Sequence, residues 1–573
     1  MRIYLRVLAL VSAIAAAGIS LPSAADNVSD IIAARSAVDR GDWKAALAPL
    51  EKLVAQSPAN GEFRLSLARA HYLTGDFADA ETDYKIAFDL KAEDPATVAY
   101  GVAKCDANLK RRPDAMTWLG KAISLGYRHL DDAQTDDDFA AYRNDPDFRN
   151  LTGMPPATAP SRDDGWRGDI RFLADWIERK SFHPFRTETA DRYVSGALYT
   201  RSQFESQVQT LIGQVPKMTD REIEVALFKL VASVGDGHST VIASRTRLEY
   251  AMTLPLGFYV FDDGFYVISA APKYAALVGA KVTAIDGMPI AAALAKLDDY
   301  IAHDNTYWLR TMEPNYFRHV PFLKALGIAK AENAAELTLV DKTGTTETVH
   351  IDADPTAPDI WNALPKPAGW AWVADNSAAP FQHDNDKLYW LDWNDKDRII
   401  YVQYNKVADG EKETLAGFAA DLSKALDAHP VDKLVIDMRN NNGGNTYLNA
   451  PLLGVVAGNA RVNRPGHLFV IIGRRTFSAA ENAVSYFGRF TKAIFVGEPT
   501  GGKPNAPGDE TPFTLPYSGI LVNLSDRYWQ GSWPDDFSDF RAPDISTPET
   551  FADYAAGRDT AMDAIRAQAL PAN

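Results

Sequence analysis

Three residues of this chain, Ser478, His238 and Lys503, have types and surroundings suited to nucleophilic chemistry. Ser478 follows an apolar run, Leu468 to Ile472, and a polar turn, Gly473 to Phe477, and it opens a helical pattern reaching Phe490. A serine at a strand-to-helix turn has its hydroxyl lifted out of the sheet. The first N–H groups of the helix, Ala479 among them, then lie beside it without intrahelical partners. Serine is also favoured as a plain helix cap, so the position alone fits either role. The strand Lys433 to Asp437 runs into Met438 to Asn445, where Gly443 and Gly444 are adjacent. Two glycines after a strand let backbone N–H groups point into a cavity, as an oxyanion hole requires. His238 sits between small residues in the turn Gly235 to Thr240. Lys503 lies 25 positions beyond Ser478 in the glycine-rich loop Gly497 to Lys503.

The elements that must position these residues are legible as alternating strands and helices. Arg398 to Asn405 reads as a strand, Glu411 to Ala428 as a helix and Lys433 to Met438 as a parallel partner strand. The alternation continues through Val496, the pattern of an α/β sheet with covering helices. Phe513 to Leu524 adds strands, and Thr550 to Leu570 reads as one amphipathic helix. Upstream, Leu211, Val215, Ile223, Leu227, Leu230 and Val231 recur at helical spacing within the mostly helical stretch Gly165 to Val234. From Thr253 to about Ala353 the pattern turns to β, with strands at Leu256 to Val260 and Phe265 to Ala270 around Asp262-Asp263-Gly264. A helical insertion runs from Ile290 to Lys330.

Four motifs in this order resemble the tail-specific, or C-terminal processing, serine peptidases, whose core is shared with tricorn protease. They are Asp236-Gly237-His238-Ser239, Asp437 to Gly444, Ser478-Ala479-Ala480-Glu481 and Gly497 to Lys503, and the resemblance covers about 165 to 550. It implies an α/β core of the ClpP/crotonase type, a helical cap before it, and Ser478 as nucleophile with an oxyanion hole from Gly443, Gly444 and Ala479. Ala280 to Gly287 further resembles the strand and turn of PDZ domains, and Pro255-Leu256-Gly257-Phe258 their carboxylate-binding loop. That likeness implies binding of a chain end as an added strand at Leu256, Gly257 and Phe258.

A serine hydroxyl is a poor nucleophile near neutral pH and needs a neighbouring base. Lys503 fills that role only if burial lowers its pKa from about 10.4 by roughly three units, costing about 4 kcal/mol. Relatives with a Ser-Lys dyad follow the lysine with Gly and, four positions on, Gln; here Pro504 and Pro507 stand there. Tricorn-like relatives use a histidine from the motif containing His238, and imidazole needs no large shift. Both bases stay open. The acid that would orient His238 is unassigned, with Asp535, Asp536 and Asp539 too loosely placed. Asp437 and Arg439 read as structural groups shaping the glycine turn. The same core also resembles the modules of interphotoreceptor retinoid-binding protein, so a ligand-binding protein without turnover is the alternative.

Chain length and composition frame this reading. The 573 residues exceed one hydrophobic core, and 46% hydrophobic residues mark a globular rather than a disordered chain. The net charge of −16 argues against nucleic acid or anionic membrane as partner. A single cysteine, Cys105, excludes an internal disulfide and a cysteine-rich zinc site, and no His-Glu-x-x-His run suggests a metallopeptidase. No cofactor or metal is expected.

Residues 1–25 read as a secretory leader, with Arg2 and Arg6 before an apolar segment and Ser23-Ala24-Ala25 as cleavage site, so the mature chain is expected in a periplasm or outside the cell. Residues 27–151 are helical with a 34-residue repeat: Gly41-Asp42-Trp43-Lys44-Ala45-Ala46 recurs as Gly75-Asp76-Phe77-Ala78-Asp79-Ala80, and a looser copy runs from Lys110 to Leu125. This is the tetratricopeptide signature, read either as a surface for a protein partner or as a packing appendage. A scaffold built on these repeats, with the core only capturing chain ends, is a third reading. Asp131 to Asp138 reads as a solvated acidic loop. A linker at 152–164 leads to a helical cap and start of the core at 165–250, a PDZ-like part at 251–353 and the peptidase core at 354–573. The fold class is thus multidomain α+β.

Overall fold

The computed structural model describes residues 24–127, 129–155, 160–186, 197–242, 252–358, 367–375 and 377–570. Residues 1–23, on which nearly all of the expected leader falls, lie outside them. Among the described residues no helix is long and apolar enough to cross a membrane. The chain divides into two units, Met1–Ala157 and Thr158–Asn573.

In the first unit the repeated Gly-Asp step is a helix stop followed by a helix start. Helices α1 (Ala24–Asp39), α2 (Trp43–Gln56), α3 (Gly61–Thr74) and α4 (Phe77–Asp89) are followed by α5 (Pro95–Asn108) and α6 (Arg112–Ser124). Gly41 and Gly75 adopt φ of +70° and +87° at the ends of α1 and α3, a conformation cheap only for glycine. The aspartate that follows caps the next helix: Asp42 accepts from the Ala45 N–H at 3.1 Å and Asp76 from the Asp79 N–H at 3.4 Å. The repeated alanines Ala46 and Ala80, with Ala115 of the third copy, are fully buried, so neighbouring helices approach closely. In that copy Lys110 takes the glycine's place at φ +60°, and Arg111 replaces the aspartate without a side-chain cap. The acidic stretch is less solvated than its composition suggests. Leu130–Thr135 is helical, and Asp136 and Asp138 each pair with Lys104 at 3.0 Å.

The second unit opens with α7 (Arg162–Lys180), α8 (Arg201–Gln214) and α9 (Asp220–Ala232). Capping boxes Thr200/Gln203 and Thr219/Glu222 start the latter two. Ile223, Leu227, Leu230 and Val231 bury one face of α9, which hands the chain to the His238 turn. The strands are β1 (Thr240–Ile242), β2 (Leu256–Phe261), β3 (Gly264–Ala270), β4 (Lys281–Ile285), β5 (Ala334–Val340) and β6 (Thr346–Asp352). They continue as β7 (Tyr389–Asn394), β8 (Ile399–Tyr404), β9 (Lys433–Asp437), β10 (Leu468–Ile472), β11 (Ile494–Gly497), β12 (Asn505–Thr514), β13 (Leu521–Gln530) and β14 (Ile545–Ser546).

Three sheets result. The central one runs β14-β11-β10-β9-β8-β7, parallel throughout except that β7 is antiparallel to β8. Its strands β8 to β10 are buried almost end to end, as parallel strands between helical layers must be. β2 to β6 form an antiparallel meander in which β2 is an edge, and two-residue strands pair with β3 and β4. Between β4 and β5 the chain inserts the helix Ile290–Leu297 and α10 (Thr306–Tyr316), the latter packed on β2. β1, β13 and β12 form the third sheet, which ties the His238 turn to the C-terminal region. The stretch expected as one terminal helix is two, Phe551–Ala555 and Thr560–Ala567. The break comes where Gly557 takes φ +66° and Asp559 caps the second helix through the Met562 N–H.

Candidate active site

Ser478 immediately precedes α11 (Ala479–Phe490) with φ +55° and ψ −129°, and its side chain makes no cap hydrogen bond. A non-glycine residue rarely holds such a backbone, and it persists only where its surroundings over-determine it. Thr476 supplies much of that constraint. Its hydroxyl donates to the Met438 carbonyl at 3.0 Å and accepts from the Gly473 N–H at 3.1 Å. Its own carbonyl accepts from Gly501 at 3.0 Å and Gly502 at 3.1 Å. The Phe477 N–H donates to the Asn441 carbonyl at 3.2 Å. One turn is thus pinned by the loops after β9 and after β11.

Gly443 presses directly on this turn. A Cβ there would fall 2.6 Å from Ser478 Cβ and 3.0 Å from the Ala479 nitrogen, so no side chain fits. The Gly443 N–H donates to Asn441 Oδ1 at 2.9 Å. Among the described residues no hydrogen bond engages the N–H of Gly444 or of Ala479, which leaves these two as the available donors beside the serine. Asp437 and Arg439 hold the turn from behind. Arg439 donates back to Asp437 and, at 3.0 and 3.1 Å, to Asp559, while the Tyr401 hydroxyl donates to Asp437 at 2.7 Å.

His238 reaches the same place through Phe477. The two rings lie 4.4 Å apart, and His238 Nδ1 is buried without a hydrogen-bond partner. The turn is built on Asp236, which accepts from the backbone N–H groups of His238 and Ser239, both at 2.9 Å, and from the hydroxyls of Ser239 and Ser525, both at 2.7 Å. Lys503 follows Gly502, whose Cβ would lie 3.4 Å from Phe477 Cα, but its ammonium turns towards Asp539 at 3.4 Å. It lines a crevice of about 520 Å³ together with Asp236, Asp304, Asp536 and Asp539. Among the described residues no hydrogen bond joins Ser478 to either candidate base. Asp536 is occupied by the Ser532 hydroxyl at 2.6 Å and the Ser538 N–H at 3.1 Å.

The insertion contributes residues that the motifs do not reveal. Asp304 accepts from the Gly237 N–H at 2.7 Å, and its other oxygen is buried and unpartnered. Burial raises its pKa, while the charges of His238 and Lys503 oppose that rise. The Asn305 side-chain amide donates to the carbonyls of Thr500, Gly501 and Asp539, and its oxygen caps α10. Trp308 stacks on Phe477. The only sequence signal was Asp304-Asn305 ahead of a helix, an ordinary cap. One turn beyond Ser478, Glu481 is buried, and burial holds its carboxyl well above the usual range. Leu256 and Phe258, with Gly257 between them, are buried in β2 and paired with β3.

Comparison with known proteins defines the class of fold. Residues 37–82 match the tetratricopeptide repeat family model. No curated protein matches the chain. Among solved structures, a serine-to-alanine mutant of CPAF is 14% identical, with 71% of this chain and 97% of that one covered at a TM-score of 0.50. Mature CPAF complexed with lactacystin is likewise 14% identical, covering 71% and 98% at 0.49. A putative peptidase from Parabacteroides merdae is 14% identical, covering 70% and 95% at 0.36. The likeness is one of fold, and it bears out the fold expected from the motifs.

Proposed function

We propose that the chain is a serine peptidase of the tail-specific type, cleaving protein or peptide substrates through an acyl-enzyme on Ser478. The observation that carries this reading is the strained backbone of Ser478 at a strand-to-helix turn, packed on Gly443 and flanked by the uncommitted N–H groups of Gly444 and Ala479. A hydroxyl held outside the sheet beside two such donors suits attack on a carbonyl and charge on the resulting oxyanion. His238 is the preferred base, because its ring lies on the residue preceding the serine while the Lys503 ammonium is engaged by Asp539. In this scheme His238 takes the Ser478 proton as the hydroxyl oxygen bonds to the carbonyl carbon. It returns the proton to the departing amine, and water then releases the acyl group. Gly443 shapes the hole rather than donating to it.

The finer readings belong to the same proposal. The β2–β6 meander serves as a PDZ-like element, offering the backbone of its edge strand rather than the buried side chains of Leu256 and Phe258. The repeats serve a protein partner, and the setting is periplasmic or secreted. The deciding experiment is turnover of casein by the mature chain beside Ser478→Ala. Cleavage should disappear with the serine, and His238→Ala should lose far more than Lys503→Ala. Absence of cleavage by the folded wild type would leave a binding protein on this fold.

A further inference from the structure

The C-terminal ends of parallel strands are where α/β sheets bind ligands, and this sheet carries a second crevice there, apart from the one beside Lys503. It is walled by Ile471 to Arg475 at the end of β10 and beyond, Glu498 after β11, Glu549 after β14, and Tyr259 and Ile268 of the meander.

Arg474 is the feature that calls for a ligand. Its side chain is 3% exposed, and none of its three guanidinium nitrogens makes a hydrogen bond among the described residues. Its charge is met by an ion pair with Glu498 at 3.7 Å and by Tyr259, whose ring lies 4.2 Å from the guanidinium carbon and whose hydroxyl also stabilises the cation. A buried guanidinium whose donors lack well-formed hydrogen bonds is costly, and its planar fork matches a carboxylate. The walls select the charge: two glutamates oppose a dianion such as phosphate. Burial first, then Glu498, pushes the Glu549 carboxyl up to about 8, so near neutrality it is a proton donor to a bound oxygen. Tyr259, Ile268 and Ile471 offer an apolar bed beyond the head group.

We propose that this crevice binds an organic monocarboxylate with a small apolar or aromatic body, the carboxylate seated on Arg474. A free acid and a chain terminus share that chemistry.

The test uses the full chain carrying Ser478→Ala, so that nothing bound is turned over. Calorimetric titration compares 3-phenylpropionate with its amide, a peptide ending in phenylalanine with its C-terminal amide, and inorganic phosphate. Either acid should bind at least about tenfold more tightly than its amide, and the acid that binds identifies the source; phosphate should not compete. Arg474→Gln should abolish the difference. Glu549→Gln keeps the site testable if that variant fails to fold. Glu549 faces Glu498, Arg439, Arg474, Asp559 and Tyr554, and its ionisation should weaken binding as pH rises through about 8, a loss the glutamine removes. Equal binding of acid and amide, or no binding of either acid to folded protein, would overturn the proposal.

Discussion

The indole of Trp308 lies flat on the ring of Phe477, centroids 3.9 Å apart and 9° from parallel. The pair joins an inserted helix to the residue before Ser478, and His238 packs on the same phenyl ring. Truncating Trp308 to alanine removes a side chain 5% exposed and should cost about 3–5 kcal/mol. Urea denaturation would show it, and casein turnover should fall with it, whereas Trp308→Phe should recover most of both.

Ser478 stores strain. Its backbone angles cost on the order of 1–3 kcal/mol for an L-residue and little for glycine. Ser478→Gly should therefore raise the melting temperature while abolishing turnover. Ser478→Ala, which keeps the same strained backbone, should lose turnover without that gain. Equal melting temperatures for the two variants would remove the strain argument.

Glu313 makes the stability pH-dependent. Burial, then the neighbouring Asp298, raise its carboxyl from 4.5 to about 8. The folded state holds the proton more tightly than the unfolded chain, so this contribution is complete below about 4.5 and is lost as pH rises through about 8. Glu313→Gln should gain stability relative to wild type as pH is raised across that window. Parallel stability–pH curves for the two proteins would refute the assignment.

Lys110 occupies the left-handed position that Gly41 and Gly75 fill in the other repeats. Lys110→Gly should stabilise the repeat unit by about 1 kcal/mol, read as a higher denaturant midpoint. No gain would mean that unseen contacts compensate the lysine's conformation.

Much of the candidate site is legible in the sequence because turn chemistry is local. Ser478 after a strand, Gly443-Gly444 after another and the Gly-Asp helix junctions each declare themselves within a few residues, and the structure brings all four motifs around Phe477. What escaped is held by distant partners. Asp304, Asn305 and Trp308 fall inside the insertion Ile290 to Lys330, where nothing local marks them as part of the site, yet Asn305 acts on carbonyls 195, 196 and 234 positions away. Asp136 and Asp138 read as solvated because their cation, Lys104, lies some thirty residues earlier. The terminal helix read as continuous because periodicity does not register that Gly557 breaks it and Asp559 restarts it.

Asn305 has a temporal consequence as well. Its amide waits for a carbonyl at residue 539, just as Arg439 waits for the carboxylate of Asp559. A ribosome delivers Gly237 and Ser478 long before those acceptors exist. A nascent or threading chain therefore carries every element of the catalytic proposal in an unassembled state. The arrangement around Ser478 is therefore completed by contacts that only the late-made segments supply.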